Sequence, residues 1–394
     1  MKILVVNFPY FGHTIPTLPI VEKLVKNGHK VTYINHEKWR NKITDLGVNF
    51  IPYDHYPDKP LIIDNGDFSA VKSMYDTTIR VVKNYDLIMY DFFFFLGNEI
   101  AKNVGIPAIK FCSQHAYSYN VLDEFTDNYP LWKLCKIPAI VHMITKLFTK
   151  EINTNIKDFS KAMMYDHPDL NIVFTCEDFQ LYKEEFDKDK FIFMGSSANN
   201  DYVNSPEFMY KSNQFMKENN INLSRPLIYI SMGTLMEGSY NFLRKCIKVL
   251  SNTDFEVIIS AGREYEKLIQ LNTSINIHIM NTVPQIEVLN YANLFITHGG
   301  MNSVNEAMFM GVPMFVLPIS ADQPTNAKLI QSYNLGLYDN INKISEQEIL
   351  NKINYILNDN NIQQNIKIWK QKQIDAGGVN YAVEKIENYI KNIT

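Results

Sequence analysis

The chain opens on a continuous apolar run, KILVVNF, which reads as a strand buried on both faces. A turn containing Gly12 follows, and then Leu18, Val21, Leu24 and Val25 fall at the three-to-four-residue spacing of a helix. Gly28 offers the left-handed residue that ends such a helix, and VTYIN resumes as a strand. This βαβ opening recurs at YDLIMYDFFFF, with a helix over GNEIAKNVG and a strand at PAIKF, and continues in NIVFT and FIFMG. Between Met194 and Arg225 the pattern breaks. GSSANNDYVNSPEF and KENNINLS carry Ser, Asn and Pro and few large aliphatics, as linkers do. A second strand–helix series then runs PLIYISMG, FEVIISAG, INIHIM, NLFITHGG and MFVLPI, and the tail VNYAVEKIENYIKNIT reads as an amphipathic helix.

The pattern predicts an α/β protein built from two Rossmann-like βαβ domains that face each other across a cleft. In such sheets ligands bind at the carboxyl ends of the strands, and domain interfaces favour pockets. We place the first domain at 1–205, a linker at 206–224, the second domain at 225–375 and a closing helix at 376–394. The less regular stretch LWKLCKIPAIVHMITKLFTK reads as one or two helices packed on the first sheet or as a pocket wall. A membrane-surface patch is the less favoured reading.

Composition narrows the function. The length of 394 residues fits two domains at roughly 150 residues each, and 46% hydrophobic residues supply real cores. With 38 Lys+Arg against 42 Asp+Glu, a net charge of −4 leaves no electrostatic footprint for nucleic acid. No apolar run reaches the roughly 20 residues of a membrane span, so stable membrane insertion is not expected. The opening MKILVVNFPYFGH is too short and too soon polar for a signal peptide. Cys112, Cys135, Cys176 and Cys246 are scattered without a CxxC pair, which points to reduced thiols and a cytoplasmic home.

The densest chemistry lies from Leu294 to Ala327, LFITHGGMNSVNEAMFMGVPMFVLPISADQPTNA. A strand runs into His298, Gly299 and Gly300, and a helix begins near Asn302. Its free N–H groups and dipole make an anion site, which the glycines let a phosphate approach. Ser303 and Glu306 also have the spacing of a capping box, a purely structural alternative. His298 on its own would more often be a satisfied helix-entry histidine.

Taken together, H-G-G-x-N-S, E-A, G-V-P and D-Q with N-A closely resemble the donor signature of UDP-dependent glycosyltransferases of the GT-B fold, the macrolide and small-molecule glucosyltransferase family. The resemblance implies that His298 contacts the diphosphate, with Gly300, Asn302 and Ser303 donating to it at the helix start. Glu306 would accept from the ribose hydroxyls, and Asp322 and Gln323 would hold the sugar hydroxyls, a pair that usually accompanies glucose. Thr234, in YISMGT, would be a further phosphate contact. NTVPQIEVL matches the segment that holds uracil, with Val283 and Gln285 at its edge; Thr282 stands where the family often stacks an aromatic on the base.

The opening FGHTIPTLPIVEKLVKNGHKVTY resembles the family's first half, in which His13 is the catalytic base; the bland alternative is a loop histidine. Asp91, after the strand YDLIMY, matches the aspartate that orients that base and supports its charge, against a helix-capping alternative. His29, in the NGHK turn, reads as structural. Asp187-Lys188-Asp189 is formally a D-x-D metal motif, but it sits in the charged turn EEFDKDKF and is rejected as a metal site. No metal or cofactor is therefore expected; the UDP-sugar is a co-substrate. The resemblance further implies that the last helix returns to pack on the first domain. The expected activity is an inverting transfer of a hexose, glucose first, to a hydrophobic hydroxylated acceptor such as a flavonoid, macrolide, sterol or lipid. The alternatives are a UDP-sugar epimerase of the same architecture and a sensor without turnover. Phe92 to Phe95, Tyr117, Tyr119 and Trp132 either line an aromatic acceptor pocket or, for the Phe run, lie in the sheet core.

Overall fold

The apolar runs fold into two all-parallel sheets, each covered by helices on both faces as buried parallel strands require. The structure is a computed structural model; it describes residues 1–57, 67–126, 137–198, 200–233, 239–271 and 273–393. The first unit comprises 1–197 together with 379–394, and the second 198–378.

In the first unit the strands are β1 (Lys2–Val6), β2 (Lys30–Asn35), β3 (Asn49–Pro52), β4 (Leu87–Asp91), β5 (Ala108–Cys112), β6 (Leu170–Val173) and β7 (Phe191–Phe193). They lie in the order β3-β2-β1-β4-β5-β6-β7. The chain thus builds outward from β1 in one direction and then returns to start again at β4. That reversal leaves a crevice at the carboxyl ends of β1 and β4, where loops diverge to opposite sides. One face of the sheet packs Ile3 and Val5 against Leu18, Val21 and Leu24 of the helix Phe11–Lys26. The last helix, Gly378–Ile393, covers the same face with Val379, Ala382, Val383, Ile386 and Ile390, a helical stripe. Asn27 Nδ2 donates to Glu387 Oε1 at 2.8 Å, and the His29 ring reaches the same carboxylate at 3.0 Å. The role of His29 is therefore to tie the two helices together.

The second unit repeats the design with β8 (Leu227–Ser231), β9 (Glu256–Ser260), β10 (Ile277–Met280), β11 (Ala292–Thr297), β12 (Met314–Val316) and β13 (Gly336–Tyr338). The order is β10-β9-β8-β11-β12-β13, with the reversal between β8 and β11. The stretch expected to be a linker, 206–224, instead carries the helix Pro206–Glu218. Ser205 caps it by accepting from Phe208 N at 3.1 Å, Pro206 sits at its first turn, and Phe208 and Met216 are buried. The change of unit comes earlier, between Ser197 and Ala198. Among the described residues no helix is long and apolar enough to cross a membrane.

Candidate active site

His13 lies in the first turn of the helix Phe11–Lys26, one turn further into regular structure than the loop its sequence suggested. Three hydroxyl and amide contacts hold that turn. Thr14 Oγ1 donates to Phe8 O at 2.9 Å, Asn35 Nδ2 donates to Thr14 Oγ1 at 3.1 Å, and Asn7 Nδ2 donates to His13 O at 2.9 Å. Asp91 ends β4, the neighbour of β1 in the sheet, so two residues 78 apart in sequence meet: His13 Nδ1 lies 2.8 Å from Asp91 Oδ2. The other oxygen, Asp91 Oδ1, accepts from Phe93 N at 2.9 Å, which fixes the carboxylate plane. Asp91 is fully buried and the His13 side chain is only 10% exposed. A carboxylate on Nδ1 selects the tautomer with its proton there and leaves the Nε2 lone pair free; among the described residues no hydrogen bond engages Nε2.

A residue that the sequence reading passed over completes this cluster. Ser113, just beyond β5, places its Oγ 2.9 Å from His13 Nδ1. A serine one residue past a strand carries no motif, so only the β4–β5 pairing reveals it.

The Phe run divides. Phe92, Phe94 and Phe95 are buried in the core, whereas the Phe93 ring lies 5.0 Å from the His13 ring. Tyr117 is also buried, stacked on Phe92 at 4.5 Å; Tyr119 is partly buried beside Tyr165. After the run, Gly97 packs directly on Tyr90: a Cβ there would lie 2.2 Å from its ring. Trp132 lies outside the described residues.

In the second unit His298 follows β11, next to the carboxyl end of β8. Its ring is wedged between two glycines: a Cβ on Gly300 would stand 2.7 Å from Nε2, and one on Gly233 3.0 Å from it. Gly299 has φ +86°, the left-handed region, and a Cβ there would strike Val316 at 2.6 Å. Desolvation pulls the His298 pKa down to about 4, partly opposed by the ring's hydrogen bond to the Ser231 carbonyl. At neutral pH it is an uncharged donor rather than a cation.

The helix Met301–Met310 starts with Gly300 at its N-cap, a residue with no side chain of its own to cap it. The capping-box alternative for Ser303 and Glu306 is thereby excluded, since Ser303 already lies inside the first turn. Glu306 instead takes Gln285 Nε2 on Oε2 at 2.5 Å and Asn302 Nδ2 on Oε1 at 3.0 Å. Gln285 also donates to Ser303 Oγ at 3.3 Å and accepts from the Tyr229 hydroxyl at 3.1 Å. Burial raises the Glu306 pKa to about 7, with Glu287 adding to it and the two amides opposing. Val283 is half-buried just ahead of Gln285.

Asp322 Oδ2 accepts from Met301 N at 3.2 Å and from Asn326 Nδ2 at 2.9 Å, so its carboxylate occupies the start of the Met301–Met310 helix. Gln323 Oε1 accepts from Ile319 N at 2.8 Å and Ser320 N at 3.0 Å. Between them and β12, Ala321 holds φ +60°, strained for a residue with a Cβ and typical of functional loops. Thr234 lies outside the described residues.

A model of the family described as UDP-glucoronosyl and UDP-glucosyl transferase matches residues 139–376 of this chain. The chain belongs to that family. It is a UDP-glycosyltransferase. The NDP-glycosyltransferase YjiC of Bacillus subtilis (strain 168) is 29% identical over 402 residues, covering 98% of this chain and 96% of that protein. The oleandomycin glycosyltransferase of Streptomyces antibioticus is 19% identical, covering 95% and 88%. Among solved structures, the glycotransferase of kitacinnamycin superposes with a TM-score of 0.81 at 21% identity, over 98% of each chain. The calicheamicin glycosyltransferase CalG4 gives 0.79 at 20%, over 100% of this chain and 99% of that one. The fold of this UDP-glycosyltransferase is therefore GT-B.

Asp187, Lys188 and Asp189 form an exposed turn in which Asp187 Oδ1 accepts from Asp189 N at 3.0 Å and Lys188 pairs with Glu177. Among the described residues no group of three or more His, Cys, Asp or Glu could hold a metal ion.

Proposed function

We propose that this glycosyltransferase moves a hexose, glucose by preference, from a UDP-sugar to a hydroxyl of an apolar small molecule, with inversion at the anomeric carbon. The observation that carries the reading is the buried His13–Asp91 pair with Nε2 left free. Nε2 takes the proton of the acceptor hydroxyl as that oxygen attacks the anomeric carbon. The bond from that carbon to the diphosphate oxygen breaks, and UDP leaves with the electron pair. Asp91 then faces an imidazolium and stabilises it. One displacement inverts the centre, so an α-linked donor gives a β-glycoside.

The second unit supplies the donor site. The Glu306 carboxylate accepts from the ribose hydroxyls, with Gln285 and Val283 at the edge of the base. His298 contacts the diphosphate beside the helix start, where Gly300, Asn302 and Ser303 donate to it in place of a divalent cation. Asp322 and Gln323 hold the sugar; Gln323 Nε2 is the group its two backbone contacts leave for a hydroxyl. Relatives named as an oleandomycin glycosyltransferase and a demethyllactenocin mycarosyltransferase support a small-molecule acceptor. The buried thiols of Cys112, Cys176 and Cys246, joined in no disulfide, suit a reducing cytoplasm.

The test is UDP release from UDP-glucose with a panel of hydrophobic phenols and alcohols. Wild type should release UDP only with acceptor, and His13→Ala should lose about 10²–10⁴-fold in kcat while still binding UDP. Normal turnover in the variant would remove His13 from the mechanism.

A further inference from the structure

We infer that Ser113 is a positioning residue for the His13 base, acting as the second acceptor on Nδ1–H. The inference rests on the reading of His13 as the base. Ser113 Oγ stands 2.9 Å from Nδ1, and Asp91 Oδ2 stands 2.8 Å from the same atom. Ser113 is 4% exposed and Asp91 fully buried, so water does not compete for the proton.

Nδ1 carries one proton or none, which restricts how the three groups combine. With Asp91 ionised, a bare Nδ1 would set its lone pair against the carboxylate, so the proton sits on Nδ1. Ser113 then cannot donate to Nδ1 and instead accepts a share of its N–H, a three-centre bond. Two acceptors on one N–H pin the ring about two axes rather than one, and both bonds strengthen when Nε2 becomes protonated and the ring turns cationic. Ser113 thus raises the basicity of Nε2 and holds its direction without touching substrate. The Phe93 ring, 5.0 Å from the imidazole, closes another side of it.

The surrounding titratable groups do not confuse the readout. Tyr10 stands by the His13 ring. Around Asp91 burial pushes the Tyr33, Tyr53 and Tyr56 phenols well up and the Cys112 thiol up to about 12. With those protons held, the ring-nitrogen signal of His13 is read without interference from these groups.

The experiment compares wild type, Ser113→Ala and Ser113→Thr. The full chain is labelled at histidine ring nitrogens, and the His13 ring is titrated by NMR alongside pH profiles of kcat with UDP-glucose and a phenol acceptor. We expect Ser113→Ala to move the His13 midpoint and the low-pH limb of kcat downward and to cut kcat about ten-fold. The donor KM should stay unchanged, and Ser113→Thr should restore all three. An unchanged His13 midpoint in Ser113→Ala would overturn the inference, whatever happens to kcat. If wild type transfers no sugar yet the midpoint still falls, the proposed function fails while the Ser113–His13 coupling stands.

Discussion

Glu306 offers a prediction in which stability and binding move in opposite directions. The residue is 8% exposed, and burial of its carboxyl raises the pKa from the usual 4.5 to about 7. The unfolded chain ionises Glu306 above pH 4.5, whereas the fold keeps it protonated to about pH 7. Because the folded value is raised, its favourable share is complete below pH 4.5 and is lost as pH climbs to 7. The difference between 7 and 4.5, at about 1.4 kcal/mol per pH unit, amounts to roughly 3 kcal/mol. Glu306→Gln keeps the shape and removes the charge. Gln285 can turn its amide over, offering its carbonyl to the new NH₂ and its own NH₂ to the Tyr229 hydroxyl, while Asn302 still donates to the new carbonyl. At pH 8.5 the variant should therefore be the more stable by up to about 3 kcal/mol, a rise in melting temperature of several degrees at ~2–4 °C per kcal/mol. At pH 4 the two should melt alike. UDP affinity should fall about 10-fold or more, since a charged acceptor for hydroxyl donors has gone. Thermal unfolding at both pH values, with and without UDP, reads all of this. No gain at pH 8.5, or an equal gain at pH 4, would refute the burial argument; undiminished UDP binding would remove Glu306 from the donor site.

Two further variants probe single features. Gly300→Ala brings a methyl to 2.7 Å from His298 Nε2, so it should displace the imidazole and weaken UDP binding about ten-fold in calorimetry with little change in melting; intact affinity would show that His298 makes no donor contact. Truncation after Gly378 exposes the seats of Val379, Val383, Ile386 and Ile390, each worth about 1.5–3 kcal/mol when buried and together of the order of a whole domain's stability. The shortened chain should lose the cooperative melting of its first unit by circular dichroism, and an unchanged melt would mean that the helix is only an accessory.

Periodicity alone marked out the two βαβ series and the closing helix, because a parallel strand buried on both faces must read as an unbroken apolar run and a surface helix as a stripe. The stretch from Leu294 to Ala327 was equally legible, since strand, glycine turn and helix start are local and follow one another in the chain. Local signals were also present at Ser205-Pro206, a cap followed by a first-turn proline, but a polar composition masked them and suggested a linker. Tertiary structure decided what strand order brings together. His13 meets Asp91 because β1 and β4 are neighbours at the sheet's reversal, and Ser113 joins them because β5 lies beside β4. It also decided between uses of the same groups. Ser303 and Glu306 have capping-box spacing, yet the helix begins at Met301 and their side chains face Gln285, 18 and 21 residues earlier. Sequence spacing fixes which side chains share a helix face; which partner they meet depends on pairings between segments distant in the chain, and those are settled by packing.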